Sequence, residues 1–187
     1  MKTQYKDIRK VINTGDIVLF NGKGLASWLI KRATLSDISH VGMFFKIKDD
    51  IFIWESTSLY KGSNGVQLNL ASTRIETYNG KVYYRPLVCD RPHIFYEVLH
   101  SLREELKGKK YEQNIWELMG AALPWRNKEN LNTIFCSELI AYAYQRLGLL
   151  PNKPASNEYV PNDFNRNKLA DEWLIPSARL GGITRLK

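Results

Sequence analysis

Ile17-Val18-Leu19-Phe20 is an unbroken apolar run, opened by Gly15-Asp16 and closed by the turn Asn21-Gly22-Lys23-Gly24. That pattern predicts a short buried strand. Similar runs at His40 to Phe45, Ile51 to Glu55, Val66 to Leu68 and Lys81 to Arg85 predict further strands, separated by Lys48-Asp49-Asp50, Ser63-Asn64-Gly65 and Asn79-Gly80. Between the first two, Leu25, Trp28, Leu29 and Leu35, with basic Lys31 and Arg32, predict a short amphipathic helix packed on the sheet. Contact with a membrane is the other use of such a helix. Beyond Pro92, His93 to Leu106 reads as a helix that Lys107-Gly108-Lys109-Lys110-Tyr111 breaks. Trp116 to Leu123 reads as another, stopped at Pro124 and followed by a charged loop from Arg126 to Asn130. A short helix is expected beyond Pro161-Asn162-Asp163-Phe164. Strands early and helices late make the expected class α+β.

The stretch from Asn132 to Gly148 organises the rest. Leu139, Ile140, Ala143 and Leu147 recur at helical spacing, with Asn132 and Thr133 as expected N-caps and Gly148 as the stop. Cys136 then falls in the first turn, where unpaired amides and the positive end of the helix dipole favour a thiolate. A buried core cysteine fits the same position, so a nucleophile also needs a base.

Three histidines are available. His93 and His100 lie on one predicted helix and suit structural or surface roles. His40 opens an apolar strand after Ser39, where a strand end gives onto a cleft. Glu55 closes the following strand as its one charged residue, and a buried carboxylate needs a partner. Strand alternation gives three outcomes. A four-residue turn at 46–49 puts His40 directly opposite Glu55, and a two-residue turn at 48–49 puts Glu55 diagonally across on the same face. A three-residue turn separates them.

Composition adds bounds. A chain of 187 residues with 44% hydrophobic and 25% charged residues suits one globular domain. No apolar run reaches transmembrane length, and Met1 to Lys10 lacks a signal-peptide core. Two cysteines make no disulfide framework, so the expected setting is reducing and cytoplasmic, or a virion if the gene is viral or phage-borne. The formal charge of +8 suits either an anionic surface as partner or a solvated basic surface. No Cys-x-x-Cys or His-x-x-x-His spacing occurs, so neither a metal nor another cofactor is expected. The loop at Asn21 to Gly24 lacks a phosphate-binding pattern.

Taken together, Gly15 to Phe20, Ser39-His40-Val41-Gly42-Met43, Trp54-Glu55-Ser56 and Phe135-Cys136-Ser137-Glu138-Leu139-Ile140 resemble the circularly permuted branch of the NlpC/P60 papain-like superfamily. The YiiX/YebB-like proteins fit best, with lecithin retinol acyltransferases and poxvirus relatives further off. Leu106 to Tyr111 and Val160 to Phe164 add looser matches; Lys110 stands where the family often has proline. The histidine precedes the cysteine, which is the permuted order. The resemblance implies a papain-like α+β fold, an antiparallel sheet packed against helices that include the nucleophile helix. It covers a core of about 14–165 within a single domain 1–187, leaving 166–187 as a C-terminal extension. It also implies a triad of Cys136 as nucleophile, His40 as base and Glu55 as orienting residue, with Tyr111 and Ser137 beside the substrate. The expected activity is a cysteine hydrolase cleaving an amide in a peptide, isopeptide or peptidoglycan fragment. The alternatives are a lipid acyltransferase or thioesterase and a non-catalytic module for an anionic surface.

Overall fold

The apolar run at Ile17 becomes β1 (Ile17–Gly22), and its neighbours on both sides follow from the chain's turns. The computed structural model describes residues 4–33, 35–60, 63–111, 133–165 and 173–187. The other strands of the main sheet are β2 (His40–Ile47), β3 (Asp50–Tyr60), β4 (Ser63–Leu70), β5 (Gly80–Arg85) and β10 (Thr184–Arg185). They pair antiparallel in the order β10-β5-β1-β2-β3-β4. Short pairs join β6 (Leu87–Val88) to β9 (Arg179–Leu180), and β7 (Lys110–Tyr111) in parallel to β8 (Thr133–Ile134). The helices are α1 (Tyr5–Ile8), α2 (Leu25–Ala33), α3 (Ala71–Thr77), α4 (His93–Leu106) and α5 (Cys136–Arg146). The expected α+β class, an antiparallel sheet packed against helices, is what the chain adopts.

Both faces of the sheet are covered. Ile17, Leu19, Val41, Met43 and Trp54 pack with Leu99, Leu102 and Leu106 of α4 and Leu139, Ile140 and Ala143 of α5. Val18, Phe20, Phe44, Ile53 and Val82 pack on the other face with Ala71 and Ile75 of α3. A strand buried on both faces is apolar at every position, which explains the unbroken run at Ile17. At the sheet's end, the buried Asp16 carboxylate accepts from the amides of Asn13 and Leu87, the Tyr84 hydroxyl and Arg91 Nη2.

Three local expectations change. The helix from Leu25 forms, but it packs the other way round. Lys31 Nζ turns inward to Asn21 Oδ1 and the Gly22 carbonyl, at 3.0 and 2.9 Å, while Trp28 and Leu29 are 53% and 37% exposed. Two hydrogen bonds from one ammonium, one to a side-chain amide and one to a backbone carbonyl, outweigh the apolar stripe in orienting so short a helix. The N-cap of α5 is Phe135, because Thr133 belongs to β8. Glu138 supplies the missing cap by accepting the Phe135 amide at 3.2 Å. The seven-residue α3 has no counterpart in the sequence pattern, being too short for a periodic stripe. The expected helix over Trp116 to Leu123 and the loop at Arg126 to Asn130 lie outside the described residues.

Candidate functional site

The β2–β3 connection is the two-residue turn Lys48-Asp49, since Ile47 pairs with Asp50 and Met43 with Trp54. Continuing that register sets Gly42 opposite Glu55 and His40 diagonally across on the same face. His40 Nε2 lies 2.6 Å from Glu55 Oε2. Gly42, opposite Glu55, is tightly packed: a Cβ there would stand 2.8 Å from Ile53 Cγ2 and 3.2 Å from Val18 Cγ1.

Cys136 is the first residue of α5 and almost fully buried, in the core cluster with Val41, Met43 and Trp54. His40 instead packs its ring 5.2 Å from that of Phe20, on the α3 face. The two meet because His40 opens β2, so its ring stands at the strand's end rather than mid-sheet. There the His40 ring comes near enough to Cys136 for the thiol's charge and hydrogen bonding to act on it. With Nε2 committed to Glu55, Nδ1 is the nitrogen left for sulfur. As the first residue of α5, Cys136 sits at the positive end of the helix dipole. The β2–β3 hairpin thus pairs His40 with Glu55, and α5 brings Cys136 towards them from far along the sequence.

The electrostatics follow from that geometry. Burial pulls the His40 pKa down, but the charge of Cys136, its hydrogen bond and Glu55 together carry it up to about 9. Burial pushes the Glu55 carboxyl up, yet hydrogen bonds and charge from His40 and then Arg74 bring it down to about 2. The site therefore favours an imidazolium beside the Glu55 carboxylate at neutral pH.

Two residues the sequence did not single out complete the surroundings of Glu55. Asn69 Nδ2 of β4 donates to Oε1 at 2.8 Å. Arg74 of α3 donates from Nε to Oε1 at 2.7 Å and from Nη2 to Oε2 at 3.0 Å. The one available signal was a charged residue beside Ile75 in an otherwise unassigned stretch, which is too little to choose it. Ser137 is fully buried, and its hydroxyl has no hydrogen-bond partner among the described residues. Tyr111 pairs in β7 with Ile134, two residues before Cys136, so its backbone borders the cysteine segment. His93 is an exposed partner of Glu97, and His100 stacks edge-on against Phe45; neither approaches the triad residues in any described contact.

No protein-family profile and no curated protein matches the chain. Among solved structures, the metalloprotein yiiX of Escherichia coli O157:H7, described as DUF1105, is similar over 94% of this chain and 97% of its own. The TM-score is 0.57 and the identity 18%. The chain has a YiiX-like fold. This agrees with the group the sequence motifs resemble, and at that identity the likeness speaks to fold alone.

The same neighbour corrects one expectation. Its description as a metalloprotein overturns the exclusion of a metal partner. That exclusion rested on spacing, and spacing detects only ligands close in sequence, whereas folding gathers distant ones as it gathers His40 and Cys136. Among the described residues, no group of three or more His, Cys, Asp and Glu side chains is assembled for a metal. Glu55 has both oxygens committed to His40, Asn69 and Arg74. The donor set of His40, Cys136 and Glu55 does not fit a cation. Among the described residues, no helix is long and apolar enough to cross a membrane.

Proposed function

We propose that this chain is a cysteine hydrolase of circularly permuted papain-like fold, acting on an amide bond of a peptide, isopeptide or peptidoglycan-type substrate. The observation that carries the reading is the His40 imidazole, bonded to Glu55 through Nε2 and within electrostatic reach of Cys136 at the N-terminus of α5. His40 holds the proton of Cys136 as imidazolium, and Glu55 fixes the ring and its tautomer. The thiolate attacks the carbonyl carbon, and the oxyanion is met by first-turn amides of α5, that of Cys136 among them. The imidazolium gives its proton to the leaving amine as the C–N bond breaks. Neutral His40 then takes a proton from water, which releases the acid from the thioester and regenerates the thiol. Ser137 serves the substrate through its amide, since its hydroxyl is buried, and Tyr111 borders the pocket from β7. The whole chain works as one domain.

Acyl transfer from a lipid is the second reading, favoured by the outward Trp28 and Leu29 of α2 beside exposed Arg32. A thiol-directed activity probe decides whether the site is catalytic. It labels wild type and spares Cys136→Ala if the reading holds, and equal labelling of both overturns it. Release of amine from peptide or peptidoglycan fragments without vesicles supports hydrolysis. Turnover that requires acyl lipid favours the second reading.

A further inference from the structure

Arg74 is buried at the middle of α3, and its guanidinium carbon lies 4.8 and 5.2 Å from the ring centres of Phe20 and Tyr78. Those two rings, themselves 4.8 Å apart, pack together against the guanidinium as it reaches towards Glu55. Its two donors meet both carboxylate oxygens, Nε to Oε1 and Nη2 to Oε2. Asn69 takes a second position on Oε1, and His40 Nε2 a second on Oε2. Each oxygen thus accepts two bonds, and the carboxylate has one orientation in which all four are made. α3 is itself held at its end, where Lys187 Nζ donates to the carbonyls of Glu76 and Tyr78.

A salt bridge that merely joined α3 to the sheet would not need a carboxylate whose far oxygen sits 2.6 Å from an imidazole. Without the guanidinium, a buried carboxylate beside His40 would compete for the ring's Nε2 proton or take up one from water. With it, the proton stays on Nε2 and the ring turns Nδ1 to sulfur. We propose that Arg74 is a positioning residue that acts through Glu55, holding it as a fixed anion turned to His40 so that the imidazole faces Cys136. This rests on the Cys136–His40–Glu55 reading of the site. Bidentate geometry makes Arg the residue for the task, since a lysine supplies charge without the fork.

The test measures iodoacetamide alkylation of Cys136 from pH 5 to 10 in a Cys89→Ser background, so that one thiol reports. The charged and titratable groups facing Glu55 and His40 are Arg74, Cys136 and, at longer range, Tyr78. Arg74→Gln is expected to slow alkylation about tenfold at pH 6, the effect of roughly one pKa unit in the ion pair, while leaving the rate above pH 9.5 within about twofold. Arg74→Lys falls between the two. Added to Glu55→Gln, Arg74→Gln changes nothing further, because its route is gone. The proposal is overturned if folded Arg74→Gln and Arg74→Lys follow the background profile, or if the Arg74→Gln effect persists undiminished without the Glu55 charge. Where Arg74→Gln does not fold, Arg74→Lys decides by the same profile. His40→Ala separates the two levels. If it follows the background profile the triad reading fails and takes this proposal with it, whereas if only the Arg74 variants do, the triad stands and Arg74 is structural.

Discussion

Replacing Glu55 by Gln keeps the side chain's shape and an oxygen for Arg74, but removes the charge. The carboxyl falls from 4.5 to about 2 on folding, in a side chain with no solvent exposure. At about 1.4 kcal/mol per pKa unit, the charge contributes roughly 3 kcal/mol to stability at pH 7. A depressed carboxylate stabilises fully above its unfolded value, near 4.5, and loses that contribution as pH falls towards 2. Urea unfolding of wild type and Glu55→Gln at pH 7 should therefore differ by at least about 3 kcal/mol, with Arg74 losing its counter-charge as a further cost. At pH 3 the gap should narrow by about 2 kcal/mol, because the unfolded wild type by then binds the proton that its folded state refuses. A gap below about 1 kcal/mol at pH 7, or one that does not narrow on acidification, would refute the account of Glu55 as a buried, paired anion.

His40 carries the opposite sign: its raised pKa gives stability that is complete below 6.5 and lost as pH rises through about 9, so the wild-type lead over His40→Ala in urea unfolding should shrink across that range. In turnover, Cys136→Ala should abolish the reaction and His40→Ala should cost nearly as much, while Glu55→Gln retains the most, as kcat/KM of purified variants would reveal. Iodoacetamide at pH 6 to 7 should modify Cys136 before Cys89, whose thiol burial raises; peptide mapping that found Cys89 first would count against the nucleophile. Trp28→Ala should cost under about 1 kcal/mol, since the indole is 53% exposed, and a loss of 3 kcal/mol or more in a thermal melt would mean that α2 packs its apolar face inward.

Apolar runs and turn residues sufficed for the main strands and for α4, whose bounds His93–Leu106 the periodicity had set without help. The stripe of Leu139, Ile140, Ala143 and Leu147 also placed Cys136 in the first turn of a helix, although the cap proved to be Phe135 rather than Thr133, which lies in β8. The His40–Glu55 relation was reduced to three turn lengths by alternation alone; choosing among them needed the observed pairing of Ile47 with Asp50, since Lys48-Asp49-Asp50 admits more than one turn. The direction of α2 was decided by Lys31 reaching the Gly22 carbonyl, a contact between residues nine apart that no hydrophobic pattern encodes. Asn69 and Arg74 were invisible for the same reason. A guanidinium finds its carboxylate through the way β4 and α3 fold back over β3, and periodicity records which face a residue takes, not which residue it meets there. Sequence thus determined most of the elements and the helix-start setting of Cys136, while the environment of the Glu55 carboxylate belonged to the tertiary structure, where charge pairs are made across distance.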